Sequence, residues 1–286
     1  MSTLAIVGSP ASATNLELAA GWRALGLPTA CLSGAEARAR LGPDDVAVGR
    51  IDVLPTVDGT EPGLLDLLLL ERAGVPVLNP TRSLLDVHDK LRTARRLEAA
   101  ALPHPRTGWV RSPEDALPVT PPVVIKPRFG SWGRDVFRCR SEREASTLLR
   151  SLADRAWFRR HGALIQELVP SRGRDLRLLV AGGRVVGAVE RRAAPGDWRT
   201  NVSLGGSLTP AAPDAAARAL AIAAAAAVAG DLVGVDLLPL AGGEWLAVEL
   251  NGAVDFDVTY SLAGRDVYRD SAAALGLRPR GRAAAA

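Results

Sequence analysis

Apolar runs broken by glycine and proline divide the chain into short strands and helices. "TLAIVGS" is a compact apolar run and reads as a buried strand. From Ala13 to Leu25 the apolar positions recur at helical spacing, and the run stops at Gly26, which suits a helix C-terminus. "LPTACL" reads as a second strand. "EPGLLDLLLLERAG" reads as a helix with Pro62 in its first turn, and "VPVLN" as the strand after it. This alternation predicts a small α/β domain with a parallel sheet over residues 1–86.

The pattern then changes. Ser83 to Ala101 is helical, and the two prolines of "LPHPRTG" end it. Val123 to Lys126 reads as a buried strand, Glu142 to Leu152 as a helix and "GALIQELV" as a strand. "DLRLLVAGGRVVGAVERR" predicts a hairpin turning at Gly182-Gly183, and "LVGVDLLPLAGGEWLAVELNG" a second one turning at Gly242-Gly243. An Ala-rich helix lies between them, from Pro213 to Ala229, and the terminal "RGRAAAA" is expected to fray. The predicted order is therefore the α/β domain, an α+β domain over 87–165, and a larger β-rich α+β domain over 166–286. No internal repeat is present.

Composition narrows the function classes. The chain has 286 residues, is 48% hydrophobic and 23% charged, and has a net charge of +4. The excess is carried almost wholly by arginine: only Lys90 and Lys126 are lysines. Acidic residues are dispersed among the basic ones and no dense basic block occurs, which argues against nucleic acid. "ARALAIAAAAAVAG" is too short and too Ala-rich to span a membrane. "MSTLAIVGSPAS" lacks the charged start and long apolar stretch of a signal peptide. Cys31 and Cys139 are far apart with no CxxC, as in a reduced cytoplasmic protein. His88, His104 and His161 lack metal-ligand spacing and are expected to be structural.

Four polar constellations could carry chemistry. Asp236 and Glu249 flank one hairpin turn, and Glu249 and Asn251 share a strand face. An inward carboxylate needs a partner, either nearby arginines or a hard cation such as Mg2+, which takes carboxylate and phosphate oxygens. The loop "KPRFGSWGRD" follows a strand with Lys126 ahead of Gly130, Ser131, Trp132 and Gly133. Glycines there let backbone N–H groups approach phosphate, or simply make a turn. The lysine precedes the glycines, so this is no P-loop. "GSPASATN" after the first strand is likewise no dinucleotide fingerprint. In "GDWRTN", Arg199 and Asn201 could clamp an anion or lie on a solvated loop. In "LIQELV", Glu167 and Leu168 end a strand before a loop leading to Asp175, either as a ligand-binding hinge or as a plain connection.

Taken in order, "DKLRT", "VVIKP", "GRDLRLLVAGGRVVGAVERRA", "GDWRTN" and "GVDLL…VELN" resemble the ATP-grasp carboxylate–amine ligases, specifically the RimK/LysX branch. The resemblance covers about Asp89 to Asn251 and implies an ATP-grasp fold behind a Rossmann-like N-terminal domain. It implies that Lys90 and Lys126 reach the ATP phosphates under a lid formed by Gly130–Gly133. Glu167 and Leu168 would hold adenine, Asp175 the ribose, and Arg199 and Asn201 the phosphates and the reacting centre, with Arg199 catalytic. Asp236, Glu249 and Asn251 would hold two Mg2+, or Mn2+ in their place.

The implied reaction passes through an acyl phosphate and ends in an amide and ADP. Where the RimK pattern continues with Ser-Pro-Gly after Glu-x-Asn, this chain reads "GAVDFDVTYS", closer to the LysX side. Asp255 and Phe256 are therefore expected to shape the substrate pocket. The partners implied are an amino acid such as glutamate and a carboxylate-bearing substrate, in LysX-type enzymes an acidic carrier protein, with a peptide or small molecule as the other option. A homo-oligomer is expected. The competing reading is a nucleotide-binding regulator that keeps the fold and lacks ligase activity.

Overall fold

The computed structural model describes residues 3–279. The "RGRAAAA" terminus lies outside them. The N-terminal sheet contains β1 (Leu4–Gly8), β2 (Thr29–Leu32), β3 (Val46–Arg50) and β4 (Val77–Leu78), all parallel, in the order β2-β1-β3-β4. Its helices are α1 (Ala13–Ala24), α2 (Gly34–Arg40) and α3 (Leu64–Arg72). Ser12 caps α1 by accepting from Asn15 N, and Gly26 follows the helix at φ +81°. Pro62 is not in the first turn of α3: the helix begins at Leu64 behind Gly63. β3 and α2 were not apparent in the apolar pattern, because "VAVGR" is short and ends in a charged residue that is in fact buried.

The predicted helix over Ser83–Ala101 is two helices, α4 (Thr81–His88) and α5 (Lys90–Ala99). Asp89 breaks them: its backbone is extended, and its carboxylate accepts from Leu91 N at 3.1 Å and caps α5. This break makes Lys90 the first residue of a helix.

The second sheet, β5 (Thr107–Val110), β6 (Val123–Pro127), β7 (Phe137–Cys139) and β8 (Ala163–Glu167), runs in the order β5-β8-β6-β7. It packs on α6 (Glu142–Leu152) and α7 (Ala156–His161) around Val123, Ile125, Leu149, Trp157 and Ile165. The third is antiparallel and five-stranded, in the order β11-β10-β9-β12-β13. Its members are β9 (Arg174–Ala181), β10 (Arg184–Arg192), β11 (Ser207–Pro210), β12 (Leu232–Pro239) and β13 (Trp245–Asn251); α8 (Ala215–Ala227) and α9 (Val267–Ala274) complete the chain. Both predicted hairpins form, with Gly182, Gly183 and Gly243 at positive φ.

The third sheet is covered on both faces, and its alternation shows how. Leu178, Val180, Val233 and Val235 pack under α8 and its Ala-rich face. Leu179, Ala181, Val189 and Leu232, on the other face, share one core with Leu4, Ile6, Leu18 and Trp22 of the N-terminal domain. Further along that second face the inward residues become Asp175, Arg177, Arg191 and Asp236. The change from apolar to charged marks where the N-terminal domain stops and a cleft begins. Among the described residues no helix is long and apolar enough to cross a membrane.

Candidate active site

A cleft of about 590 Å³ opens between the three sheets. Lys90, Lys126, Gly130, Ser131, Trp132, Gly133, Glu167, Leu168, Asp175, Arg199, Asn201, Asp236, Glu249 and Asn251 all line it, as do Asp255 and Phe256. Residues spread over more than 160 positions of sequence are thus brought together by the three sheets.

Two strands carry the acidic set. Asp236 on β12 lies directly opposite Glu249 on β13, and Gly234 opposite Asn251. A bulge between Asp236 and Leu237 in that register puts Val248 out of step. Ala247 and Leu250, three apart, therefore both face the core, while Glu249 and Asn251 face the cleft. The sheet interior neutralises Asp236. Arg177 donates from Nε at 2.6 Å and from Nη2 at 2.8 Å, and Arg191 Nη2 at 2.7 Å. Burial alone would raise the Asp236 carboxyl; the two guanidinium groups outweigh it and hold it well below the usual carboxylate range. Arg191 also holds Asp175, which accepts a further bond from Thr200 Oγ1. Asn251 Oδ1 accepts from Ala253 N at 2.8 Å.

The cations approach from the other subdomain. Lys90 Nζ donates to Glu249 Oε1 at 2.5 Å and to Gly130 O at 2.6 Å. Lys126, only 6% exposed, donates to Gln166 Oε1 at 2.8 Å. Burial lowers its pKa to about 8, against the opposing pull of Glu249. Beside them the loop after β6 is tied across the cleft. Arg199 Nη1 donates to Gly133 O at 3.1 Å and Ser203 Oγ to Trp132 O at 3.0 Å. Gly133 has φ +69°, and a Cβ there would meet Asn201 Oδ1 at 2.7 Å, so only glycine fits. Arg199 is braced by Asp197, whose carboxyl the guanidinium holds far below its ordinary range. Ser131 Oγ is buried with no partner, a hydroxyl free to donate to an anion. At the far edge, Glu167 pairs with Arg106 and Leu168 N donates to Pro122 O at 3.1 Å, a bond that a ligand at that amide would replace.

Several cleft residues escaped the sequence. Arg177, Arg191 and Gln166 lie in strands where no spacing marks which polar residue turns inward, Arg191 between Glu190 and Arg192 and Gln166 beside Glu167; strand parity, once register is known, puts Arg177 and Arg191 beside Asp236. Thr14 and Asp52 come from the N-terminal domain and form the end of the cleft near Asp255. Burial raises the Asp52 carboxyl to about 6. His88 is buried and its pKa is lowered by burial to about 4.

A family model, the RimK-like ATP-grasp domain, matches residues 87–273. The chain belongs to the RimK-like ATP-grasp family. Among its relatives is the Glutamate--LysW ligase ArgX of Sulfurisphaera tokodaii, 30% identical over 221 residues, 75% of this chain and 78% of the relative. A probable alpha-L-glutamate ligase of Serratia proteamaculans is 32% identical over 231 residues, 78% of this chain and 73% of the relative. The crystal structure of D-cycloserine synthetase DcsG shares the fold, with a TM-score of 0.71 at 21% identity, covering 96% of this chain and 100% of that one. The RimK-like match begins at residue 87, so the family's shared portion is the part that carries the lysines, the glycine loop and the acidic set.

Proposed function

We propose that the chain is an ATP-dependent carboxylate–amine ligase that forms an amide through an acyl phosphate, with glutamate or a similar amino acid as one substrate. The observation that carries this reading is convergence. In a RimK-like chain, both lysines, the glycine loop and the Asp236–Glu249–Asn251 set line one cleft. An intact acidic set gives the regulator reading no support of its own.

The cleft suits ATP and Mg2+. Asp236, Glu249 and Asn251 offer hard oxygen donors on adjacent strands and no His or Cys is among the described residues lining the cleft; no group of three or more His, Cys, Asp or Glu is gathered there among the described residues, so Asn251 and the phosphates would complete the set. Two Mg2+ ions, or Mn2+ in their place, would be held by these three residues and would offset the charge of the phosphate oxygens. Lys90 would then exchange Glu249 for phosphate. Lys126 and Ser131 Oγ face the same space and would hold a neighbouring phosphate oxygen. Trp132 and Gly133 would cover it. Glu167 and Leu168 would meet the base and Asp175 the ribose, beside Arg191.

In the first step a substrate carboxylate oxygen bonds to the γ-phosphorus and ADP leaves. Arg199, held rigid by Asp197 and aimed at the lid, offers its guanidinium to the transferring phosphoryl, where added charge is stabilised most. In the second step an amine attacks the acyl carbon, loses a proton, and phosphate departs. Exclusion of water by the lid protects the acyl phosphate from hydrolysis. The relatives named as glutamate ligases support glutamate, and the ligase acting on LysW supports a carrier protein as partner. A homo-oligomer completes the proposal, with three units whose expected boundaries at 86/87 and 165/166 cut α4 and β8 and therefore shift to the loops beside those elements.

The test is ADP release from ATP and Mg2+ with panels of amino acids and carboxylate acceptors, including acidic peptides. Turnover with one pair supports the reading; silence across every panel contradicts it. In the active pair, Glu249→Ala is expected to lower kcat/KM by about a hundredfold or more. Full turnover by that folded variant would remove Glu249 from the metal set.

A further inference from the structure

β3 ends in Arg50, which is 2% exposed. Few residues cost more to bury than a guanidinium, and a leucine or methionine would fill the same space without that cost. The contacts explain its presence. Nε donates to Asn15 Oδ1 at 2.6 Å, and Nη2 to Val254 O at 2.8 Å. The guanidinium lies 5.6 Å from the centroid of the Phe256 ring. Nη1 has no partner, so stability alone does not account for the arrangement. Burial lowers the Arg50 pKa to about 10 and Asp255 and Asp52 oppose it, so the group stays cationic at neutral pH.

These contacts hold one short loop. Val254 and Phe256 flank Asp255, which lines the cleft and accepts from Thr14 Oγ1 at 2.9 Å. The same loop starts at Asn251, whose side chain holds Ala253 N. Phe256 also packs on Tyr260 and Tyr268, but the polar clamps that reach the loop from outside, Arg50, Thr14 and Asn79 Nδ2 on Gly252 O at 3.4 Å, come from the N-terminal domain, which lies outside the RimK-like match. Arg50 itself does not line the cleft and reaches none of the groups that face the nucleotide end. We infer that Arg50 is a positioning residue: it sets the loop over 252–257, and through it Asp255, as the wall against which the amino-acid substrate is selected. Through this loop the N-terminal domain acts on substrate choice.

The inference rests on the ligase reading only for its kinetic readout. Three variants serve: Arg50→Gln, Arg50→Lys and Thr14→Val, the last removing one hydroxyl. Backbone hydrogen exchange over 252–257 in the free protein is expected to speed up by roughly tenfold in Arg50→Gln. Affinity for a non-hydrolysable ATP analogue with Mg2+ stays within about twofold of wild type, while KM for L-glutamate rises by about tenfold, with Arg50→Lys intermediate. A residue of merely general structural weight would move nucleotide affinity and substrate KM together. If Arg50→Gln does not fold, Arg50→Lys and Thr14→Val decide by the same measurements. Unchanged exchange in the loop, or equal losses at both ends of the cleft, overturns the inference. A wild-type protein inert toward L-glutamate and every other acid contradicts the ligase reading instead, and the exchange result still decides the role of Arg50.

Discussion

Lys126 shows how much one buried residue can report. It stands at the end of an apolar strand with a pKa lowered to about 8, because burial penalises its charge. In the free protein the ammonium is present below that value and is lost as pH rises through it. Affinity for ATP with Mg2+ is therefore expected to fall between about pH 7.5 and 9, and binding near pH 8.5 to take up a proton. Calorimetry in buffers of different ionisation enthalpy measures both. Lys126→Arg is expected to flatten the pH dependence and to weaken ATP use, since a planar fork does not replace a compact ammonium. The scarcity of lysine made Lys90 and Lys126 legible in the sequence. Arg177 and Arg191 were illegible among thirty-three arginines, and their role follows from strand register alone. Of the two readings of Asp236 and Glu249, arginine partners hold for Asp236, which pairs with Arg177 and Arg191, whereas Glu249 pairs with Lys90. Removing one partner leaves a buried charge uncompensated, so Arg191→Met is expected to lower stability by about 3–5 kcal/mol in denaturant titration.

The loop after β6 is the element on which turnover is expected to depend. Its glycines read equally well as a turn, and sequence alone does not separate the two. In the fold Arg199, Ser203 and Asn201 reach it from across the cleft. Gly133→Ala places a Cβ against Asn201 at a left-handed φ, and is expected to reduce kcat about tenfold or more while lowering stability by only about 1 kcal/mol. The hairpins and the Ala-rich helix were legible because glycine pairs and period-two alternation are local signals. The break between α4 and α5 was not, because Asp89 ends one helix and caps the next without a glycine or proline. That cap is what aims Lys90. Likewise the bulge at Val248 has no sequence mark, yet it turns Glu249 to the cleft while keeping Leu250 in the core.

At the scale of the molecule, the links from the N-terminal domain to the rest include, besides the Arg50 and Thr14 contacts, two devices invisible in local patterns. One is the core shared by Ile6 and Leu18 with Leu179 and Leu232. The other is the loop after β3, which places Val57, 3% exposed at φ 54°, in the core of the second sheet. Arg134 Nη1, from the lid loop, donates to Pro55 O at 2.9 Å in the same loop. Val57→Ala removes about two buried methyl groups' worth of packing, roughly 1.5 kcal/mol, and is expected to lower the melting temperature accordingly. The predicted order of α/β, α+β and β-rich units is legible from pattern, and the shared core makes them interdependent. With the carboxylate substrate that supports ADP release labelled with heavy oxygen, the account predicts that one labelled oxygen appears in the phosphate released, because the acyl phosphate passes it on. Release of ADP with unlabelled phosphate would contradict an acyl-phosphate ligase.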